Sequence, residues 1–413
     1  MEVPYNSSFF RFSAFLMPMP AGSNPTILIP ASTMLSALGD DPEKFLERLS
    51  SPEPFGEAPE GSAPEAVLQK GRRIARDLGI EEEEESRELL LALALTAPLF
   101  ERARSAGVDP SETGFIFGAT TAGTPEAAER IRENEASPVK RWRMMEIGRT
   151  APVIARAFGI AGPVFTVSTA CTAGAKAIAE GARLLARGRV KAVIAGGLDV
   201  LSPMTLAGFS ALGARSSERA KPFRSDRTGL HLAEGGGFLL MTTGRKKFPD
   251  ASVMLRGFGE SSDAHHICAP DPTGDGAKRA ILEALCGLAP SEAGFALLHG
   301  TATEQNDAME ARVMAELLPG VPAASLKRAV GHQLAGAGAL NAACACALLE
   351  KGGKLPFNFF AGERALADGK MPEAFLRSLT GADAPRELAV PRILVSAFAF
   401  GGSNAALLFE KCQ

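Results

Sequence analysis

Short apolar runs alternate with amphipathic segments along most of the chain, a pattern typical of proteins that mix strands and helices. TILIPA is the first predicted strand, and GFIFG, PVFTV and KAVIAGG follow as buried strands. The last two flank CTAGAKAIAEGARLLARG, whose apolar positions have helical spacing. Because strands that alternate with helices usually lie parallel, the pattern predicts a mainly parallel sheet with helices on both faces.

Strand and helix patterns recur in a similar order after residue 250. Strands are predicted at SVMLRGFGE and GFALLHG, helices at AKRAILEALCG, DAMEARVMAELL and GHQLAGAGALNAACACALLEKG, and a closing hairpin at RILVSAFAFGGSNAALLFEK. The repeated order of elements suggests an internal duplication. We therefore predict an α/β protein with an N-terminal extension (1–25) and two halves (26–250 and 251–413).

The segments between the first strand and residue 113 are more polar. DDPEKFLERL predicts a helix that begins near Asp40 or Asp41, and SSPEPFGEAPEGSAPEAV, rich in Pro, Gly, Ser and Glu, predicts a surface loop. EEEEES then leads into RELLLALALTAPLFERARSAG. Acidic residues are favourable at the positive end of a helix, so this run indicates a solvated helix start.

Composition excludes several classes of protein. The 413 residues are 46% hydrophobic and 22% charged, and no apolar run approaches the ~20 residues of a membrane helix. The apolar patch FSAFLMPMPAG contains two prolines and follows a single basic residue, which does not favour a secretory signal. The net charge of −3 argues against a nucleic-acid partner. Six cysteines without a CxxC pair indicate free thiols in the cytoplasm and no metal site.

Cys171 lies at a predicted junction between a strand and a helix, within TVSTACTAGAKA. At such a turn the backbone N–H joins the unpaired donors of the helix start, and the positive helix end favours the thiolate. Small neighbours leave room for a substrate. Cys171 is therefore a candidate nucleophile, although this motif alone is equally consistent with a buried structural thiol such as Cys344.

Two of the five histidines lie where a ligand could bind. His299 ends the predicted strand GFALLHG, and His332 lies in LKRAVGHQLAGAGA, five residues after Lys327. Ligands of α/β proteins bind at the carboxyl edge of the sheet, which is where a residue directly after a buried strand is placed. Each histidine alone is more often structural, but together with Lys327 and Cys171 they predict one site.

Four motifs give the chain a family resemblance. TACTAG around Cys171, HGTAT around His299, KRAVGHQLAGAGA around His332 and the closing FAFGGSNA together resemble the elongating β-ketoacyl-acyl-carrier-protein synthases. The similarity is densest from about residue 113 to the C-terminus. It implies a thiolase-like fold, with two duplicated βαβαβ halves in a five-layered αβαβα arrangement, and a dimer.

The resemblance also implies a reaction. Cys171 would hold an acyl chain as a thioester, and a malonyl group on a second carrier would lose CO₂ and attack it. His299 and His332 would stabilise the enolate where its charge develops. The synthases that carry out this decarboxylative condensation serve fatty acid, aryl polyene or type II polyketide synthesis. No cofactor would be bound, because both substrates arrive on the phosphopantetheine arm of an acyl carrier protein.

Further residues acquire roles by the same resemblance. Lys327 and Glu310 would form a charge pair that orients His299, and Asp307 shares a helix face with Glu310. The backbone N–H groups of Cys171 and Phe400 would form an oxyanion hole, with glycines 401 and 402 freeing the backbone there. Phe398 and Phe400 would gate the acyl tunnel. The other substrate-binding residues would be Thr301, Thr303 and Phe209.

Acyl carrier proteins are acidic, so docking should use basic residues near the tunnel mouth. The candidates, which would otherwise be solvated surface residues, are Lys70, Arg72, Arg73, Arg76, Lys140, Arg141 and Arg143. The remaining partner would be a second copy of the chain or a related subunit.

Three departures and three alternatives accompany the resemblance. Ala399 stands where the family usually has glycine, Arg224 replaces an aspartate, and Leu230 replaces a frequent aromatic residue. A thiolase would need a second reactive cysteine near FAFGGSN, and a starter-type enzyme would carry asparagine in place of His332. A silent chain-length-determining subunit usually loses the nucleophile, whereas this chain retains Cys171. We therefore expect an active synthase.

Overall fold

The computed structural model describes residues 25–51, 61–133, 143–351, 355, 371–379 and 387–412. Almost all of the predicted N-terminal extension lies outside these residues. Within them, no helix is both long and apolar enough to cross a bilayer.

The elements of the first half follow the predicted alternation, with additions. In chain order they are β1 (Ile27–Leu35), α1 (Pro42–Ser50), α2 (Glu65–Asp77), α3 (Arg87–Ser105), β2 (Thr113–Gly118), α4 (Thr124–Arg132), α5 (Thr150–Ala157), β3 (Val164–Val167), α6 (Ala173–Ala186), β4 (Ala192–Asp199), α7 (Pro203–Ala211) and β5 (Gly235–Thr242).

The second half contains the same kinds of element in a similar order. They are β6 (Val253–Ser262), α8 (Asp275–Leu285), β7 (Phe295–Leu297), α9 (Glu304–Leu317), β8 (Ala323–Ala324), α10 (Lys327–Val330), α11 (Ala335–Glu350), α12 (Glu373–Ser378), β9 (Arg392–Ala399) and β10 (Ser403–Lys411).

Two helix boundaries differ from the predictions. The segment predicted as a loop ends earlier than expected, because α2 begins at Glu65. The predicted helix GHQLAGAGALNAACACALLEKG begins only at Ala335, since His332 takes part in an isolated β-bridge to Leu232. By contrast, the acidic run leads into α3 as predicted, with the Ser86 side chain accepting a hydrogen bond from the Leu89 N–H.

Strand order confirms the duplication. The ten-stranded sheet runs β3-β2-β4-β5-β1-β6-β10-β9-β7-β8. We number the strands of each half from first to fifth in chain order, so that β6 is the first strand of the second half. From the outer edge of the sheet towards its centre, both halves then have the order third, second, fourth, fifth, first. The two halves are therefore topological copies.

The prediction of a mainly parallel sheet is wrong. Parallel pairing is confined to β2 with β3 and β4, and to β7 with β8 and β9. The remaining pairs are antiparallel, because each half ends in a strand that runs back beside the parallel set. In the second half this return is the β9–β10 hairpin.

Helices α6 and α11 lie between the two halves of the sheet. Helix α6 packs on β2 and β4, while α11 packs on β4, β5 and β9. Helix α3 covers the first half of the sheet from outside, and α8 covers β6 and β10. The resulting order of layers is helix, sheet, helix, sheet, helix. Cys344 and Cys346 are fully buried in α11, as expected of small core side chains.

The two central helices approach each other closely at their N-termini. A Cβ atom added to Gly174 of α6 would lie 2.6 Å from the carbonyl oxygen of Ala335 in α11. A Cβ at Gly197 of β4 would lie 2.8 Å from the Cα of Gly174. Glycine therefore permits the contact that brings the residues before both helices together.

Candidate active site

Cys171 lies in the tight turn between β3 and α6. Ala170 has a φ of 51°, a left-handed conformation that reverses the chain directly before the cysteine. The hydroxyl of Thr172 donates to the Thr169 carbonyl at 2.7 Å and holds the turn. The Cys171 Sγ lies 3.2 Å from Nε2 of His332. The structure thus brings together two residues that are 161 positions apart.

The expectation of a thiolate at rest is wrong. Burial raises the pKa of Cys171 to about 12, and the nearby Asp199 carboxylate adds to the increase, although Lys327 opposes it. Burial in a low-dielectric site disfavours the charged form more than the helix start favours it. The cysteine is therefore a neutral thiol at neutral pH, with an imidazole nitrogen placed to receive its proton.

His299 follows β7 by two residues, at the carboxyl edge of the sheet, as predicted. Its backbone N–H donates to Glu310 Oε1 at 2.8 Å and to the Ser396 hydroxyl at 3.1 Å. The neighbouring Gly300 N–H donates to Glu310 Oε2 at 2.7 Å. One buried carboxylate therefore holds the backbone of the histidine loop from inside the protein.

Lys327 contacts His299 directly. Its Nζ donates to the His299 carbonyl oxygen and lies 3.4 Å from the ring atom Nδ1. The predicted charge pair with Glu310 is not an ion pair, because the Glu310 oxygens are taken up by backbone N–H groups and Ser396. Burial lowers the pKa of Lys327 to about 8, while the charge of Glu310 opposes this decrease.

The imidazole rings of His299 and His332 face each other edge to face, with centroids 5.4 Å apart and an interplanar angle of 86°. Burial, followed by the Lys327 charge, lowers the pKa of both rings well below the ordinary value. Both histidines are therefore neutral at pH 7. A neutral imidazole can donate one hydrogen bond and accept another.

Asp307 and Glu310 both lie on α9, as predicted, and both are buried. Asp307 accepts hydrogen bonds from the Phe223 N–H at 2.7 Å and from the Ala302 N–H at 3.1 Å. Burial raises the pKa of Asp307 to about 7. It stabilises two turns whose residues, Phe223 and Ala302, have positive φ values of 63° and 65°.

A cavity of about 720 Å³ opens onto these groups. Cys171, His299 and His332 line its inner part, together with Phe398. Near Cys171 the surroundings are apolar. They comprise Leu230, Leu232 and Leu334, with Leu201, Leu206, Phe209, Ala214 and Ala399 partly buried around them.

The side chains predicted to bind substrate line the same cavity. Thr301 and Thr303 share a hydrogen bond of 2.8 Å between their hydroxyls. Phe398 is buried, with its ring centroid 5.9 Å from that of His299. Phe400 is 39% exposed and stacks on Phe209 at 5.7 Å. The two phenylalanines predicted as gates therefore differ, since one is fixed in the core and the other is open to solvent.

The three departures from the family pattern fit the structure. Ala399 has φ −146° and ψ 161°, extended values that alanine adopts without strain. Gly401 and Gly402 have φ values of 79° and 69°, so the left-handed positions of this loop retain glycine. Arg224 is buried and bonds to both oxygens of Asp226. Leu230 joins the apolar surroundings of Cys171.

The basic candidates for docking fall into three groups. Lys70 and Arg72 on α2 form ion pairs with Asp40 at 3.0 Å and with Glu85 at 3.6 Å. Arg73, Arg76 and Arg143 are exposed. Lys140 and Arg141 lie outside the described residues.

Two buried residues that support the site were not predicted. Ser396 on β9 bridges the His299 N–H and Glu310, and Asp199 ends β4 and accepts a hydrogen bond from Ala335 at the start of α11. The only sequence signal for Asp199 is a charged residue at the end of a fully apolar strand. No local pattern distinguishes Ser396 within its strand.

Comparison with known protein families agrees with this arrangement. Residues 78–246 match the N-terminal domain of β-ketoacyl synthases, and residues 253–358 match the C-terminal domain. The 3-oxoacyl-[acyl-carrier-protein] synthase 2 of Synechocystis is 33% identical over 287 residues, which are 65% of this chain and 67% of that protein. A putative mitochondrial 3-oxoacyl-[acyl-carrier-protein] synthase of Schizosaccharomyces pombe is 28% identical over 354 residues, 78% of this chain and 80% of that one.

Solved structures are similar over nearly the whole chain. A ketosynthase in complex with its chain length factor from Xenorhabdus doucetiae matches with a TM-score of 0.79 and 30% identity, over 95% of this chain and 100% of that one. The ishigamide ketosynthase/chain length factor has the same fold, with a TM-score of 0.80, 24% identity and the same coverage. These matches and the layer order confirm the thiolase-like fold. The chain belongs to the β-ketoacyl synthase family of acyltransferases.

Proposed function

We propose that this protein is an active β-ketoacyl-acyl-carrier-protein synthase that joins an acyl chain on Cys171 to a malonyl unit with loss of CO₂. The observation that carries the proposal is the 3.2 Å contact of Cys171 Sγ with His332 Nε2, beside a second neutral imidazole in the same cavity. The product enters fatty acid, aryl polyene or type II polyketide synthesis. The chain acts in the cytoplasm, and its halves are residues 26–250 and 251–413.

The first step is acyl transfer to Cys171. The sulfur attacks the thioester carbon of an acyl carrier, and the carrier thiol leaves. Because the resting thiol is neutral, its proton passes to His332 as the carbon–sulfur bond forms and then to the departing carrier sulfur. The oxyanion of the tetrahedral intermediate accepts hydrogen bonds from the backbone N–H groups of Cys171 and Phe400. The leucines around Cys171 then surround the acyl chain.

The second step is condensation. A malonyl thioester enters the cavity, and its carboxylate leaves as CO₂. The electron pair forms an enolate, whose oxygen accepts hydrogen bonds from Nε2–H of His299 and of His332. For His332 this requires that its ring proton, which is on Nδ1 while Nε2 receives the Cys171 proton, moves to Nε2 by exchange with water between the two steps. The enolate carbon attacks the acyl thioester on Cys171. The cysteine sulfur leaves as a thiolate and takes up a proton from water as the product departs. Neutral imidazoles suit this step because they supply N–H donors without a positive charge that would hold the malonyl carboxylate.

Lys327 sets the orientation of His299 in this proposal. Its ammonium donates to the His299 carbonyl oxygen and lies beside Nδ1, so Nδ1 acts as an acceptor and the ring presents Nε2–H to the cavity. Thr301 and Thr303, whose hydroxyls line the cavity, bind the phosphopantetheine arm of the incoming carrier.

The charge of Lys327 predicts a pH dependence. With a pKa of about 8, the ammonium is present below this pH and is lost above it. We expect kcat for condensation to be about tenfold lower one pH unit above that pKa than well below it, as for a single required proton. The measurement is steady-state kcat from pH 6 to about 9.5. In Lys327→Met, kcat should be low and lack this alkaline decrease. The same decrease in the variant would contradict the role of Lys327.

Docking of the acidic carrier is assigned to exposed basic residues. Arg73, Arg76 and Arg143 are accessible, whereas Lys70 and Arg72 are already paired with carboxylates. An acidic partner is attracted over long range by exposed positive charge, whereas a basic side chain that is already paired with a carboxylate contributes little. The first three residues are therefore the stronger candidates.

We also propose that the chain forms a dimer through the free edge of β3. This strand is at one end of the sheet, and its four residues are only half-buried although three of them are apolar. An apolar edge strand is a template for pairing with another chain. The partner is a second copy or a related subunit, and the solved ketosynthase of Xenorhabdus doucetiae is complexed with its chain length factor.

The alternative function is that of a silent chain-length-determining subunit, which the complexes with chain length factors bring into consideration. The two functions differ in whether Cys171 accepts an acyl chain. We expect the intact mass to increase by one acyl group after incubation with acyl carriers of several chain lengths, and peptide mapping to locate the group on Cys171. An unchanged mass with all carriers, with and without a partner subunit, would favour the silent subunit.

A further inference from the structure

Asp199 is a fully buried carboxylate that the proposed chemistry does not use. It ends β4, and no lysine, arginine or histidine among the described residues forms an ion pair with it. Five donors surround it instead: the backbone N–H and hydroxyl of Thr120, the same two groups of Thr121, and the backbone N–H of Ala335. Such donors together offset the cost of burying the charge.

The two oxygens of Asp199 face different parts of the fold. Oδ1 accepts from the Thr120 N–H and from both Thr121 donors. Oδ2 accepts from the Thr120 hydroxyl and, at 2.8 Å, from the Ala335 N–H. The carboxylate thus connects the turn after β2 to the first residue of α11.

The segment held by Oδ2 is strained and adjoins the nucleophile. Leu334, directly before Ala335, has φ 47° and ψ −117°, a conformation that only glycine adopts easily. Its side chain packs in the apolar cluster around Cys171, and His332 lies two residues earlier. The strain persists only if surrounding contacts hold it, and the bond from Ala335 to Asp199 is one such contact.

The other side of this segment is held separately. The His332 N–H donates to the His231 carbonyl at 2.7 Å, and the Ala233 N–H donates to the His332 carbonyl at 3.0 Å. This bridge therefore fixes the backbone of His332 itself, and Asp199 fixes the chain three residues later, at Ala335. Nδ1 of its ring has no hydrogen-bond partner, so the backbone is what positions the imidazole.

We propose that Asp199 is a positioning residue for condensation, which holds the Leu334–Ala335 peptide so that His332 Nε2 stays within hydrogen-bond distance of Cys171 Sγ. This inference rests on the proposed synthase function. Asp199 touches neither substrate nor reacting atoms. Apart from the effect of its charge on the pKa of Cys171, it acts through the start of α11.

The test is Asp199→Asn, which has the same shape but only one accepting oxygen. The amide oxygen will replace Oδ1, where three donors converge, so the Ala335 N–H will face an amide NH₂ group and lose its acceptor. We expect kcat for condensation to fall about 10- to 100-fold, the range seen when supporting residues of a reactive group are removed. The KM values for both carriers should change by less than about twofold, because the cavity mouth is untouched.

The matched control is Thr120→Val, which removes a hydroxyl donor to Asp199 but leaves the bond to Ala335. We expect its kcat to stay within about threefold of the unsubstituted protein, because the Ala335 N–H keeps its acceptor on Asp199. Folding of each variant is checked by circular dichroism and thermal unfolding. If Asp199→Asn does not fold, Asp199→Ser is measured in its place, with the same expected loss.

Each outcome decides the question. Unchanged kcat in a folded Asp199 variant, an equal loss in Thr120→Val, or a fall in kcat accompanied by a comparable rise in KM would overturn the proposal. Failure of both Asp199 variants to fold would also overturn it, because Asp199 would then determine folding and not position. Failure of the synthase function is separate, since the unsubstituted protein would then form no condensation product in the same assay.

Discussion

Substitution of Cys171 by alanine should abolish condensation. The variant loses the sulfur that contacts His332, so no acyl thioester can form there. We expect the condensation rate to fall more than about 10⁴-fold, as when a covalent nucleophile is removed. The measurement is formation of the β-ketoacyl carrier, followed by mass spectrometry. Because the two imidazoles remain, the variant should still release CO₂ from the malonyl carrier.

The matched control is Cys268→Ala, which removes another thiol that lines the same cavity. Cys268 lies in the loop after β6, where its backbone N–H donates to the ring of His266, and this bond does not involve its sulfur. We expect normal condensation from this variant. Turnover by Cys171→Ala, or loss of turnover only in Cys268→Ala, would show that the nucleophile is misassigned.

Replacement of His332 by alanine should have the second-largest effect. The ring is the proton acceptor for Cys171 and one of two donors to the enolate, and loss of one preorganised donor typically costs 10²- to 10³-fold. With both roles removed, we expect condensation to fall about 10³-fold or more. Acylation of Cys171 should slow less, by about tenfold, because only the proton transfer is affected.

The two effects are separated by measuring acyl adduct formation on Cys171 and CO₂ release in the same variant. His265→Ala is the control, since this histidine is exposed and lies after β6, outside the imidazole pair. An equal loss of acylation and condensation in His332→Ala would indicate that His332 serves only Cys171. Loss of neither would remove it from the mechanism.

The residues that carry the chemistry could be found from sequence because their signals are local. Cys171 and His299 each follow a recognisable apolar strand, and the spacing from Lys327 to His332 is short enough to be read as one motif. Alternation of strands and helices likewise predicted most elements. What local patterns do not contain is the pairing of strands, which explains why the sheet was expected to be mainly parallel.

Several elements were not predicted for a different reason, and β5 and α7 are two examples. β5 begins with Gly235, Gly236 and Gly237, and these glycines are not typical of a strand. Its hydrogen bonds to β4 and β1 are what make this segment a strand. Helix α7 contains no buried residue and no amphipathic pattern. Its place is determined by neighbouring elements and not by its own periodicity.

The ionisation state of Cys171 and the partners of Glu310 could not be predicted from the sequence either. The position of Cys171 at a helix start suggests an ionised thiol. Its burial, to which leucines from three separate stretches of the chain contribute, favours the neutral form. Similarly, Glu310 was expected to pair with Lys327. Its carboxylate instead binds two backbone N–H groups and Ser396, a residue on a different strand.

The close contact between Gly174 of α6 and Ala335 of α11 has a consequence for protein engineering. Each helix belongs to a different half of the chain, yet their starts fit together with only glycine and the methyl groups of alanines at the contact. A chimera that takes one half from a relative would contain α6 from one protein and α11 from the other, so the two helix surfaces at this contact would not match. Productive hybrids should therefore exchange α6 and α11 as a unit.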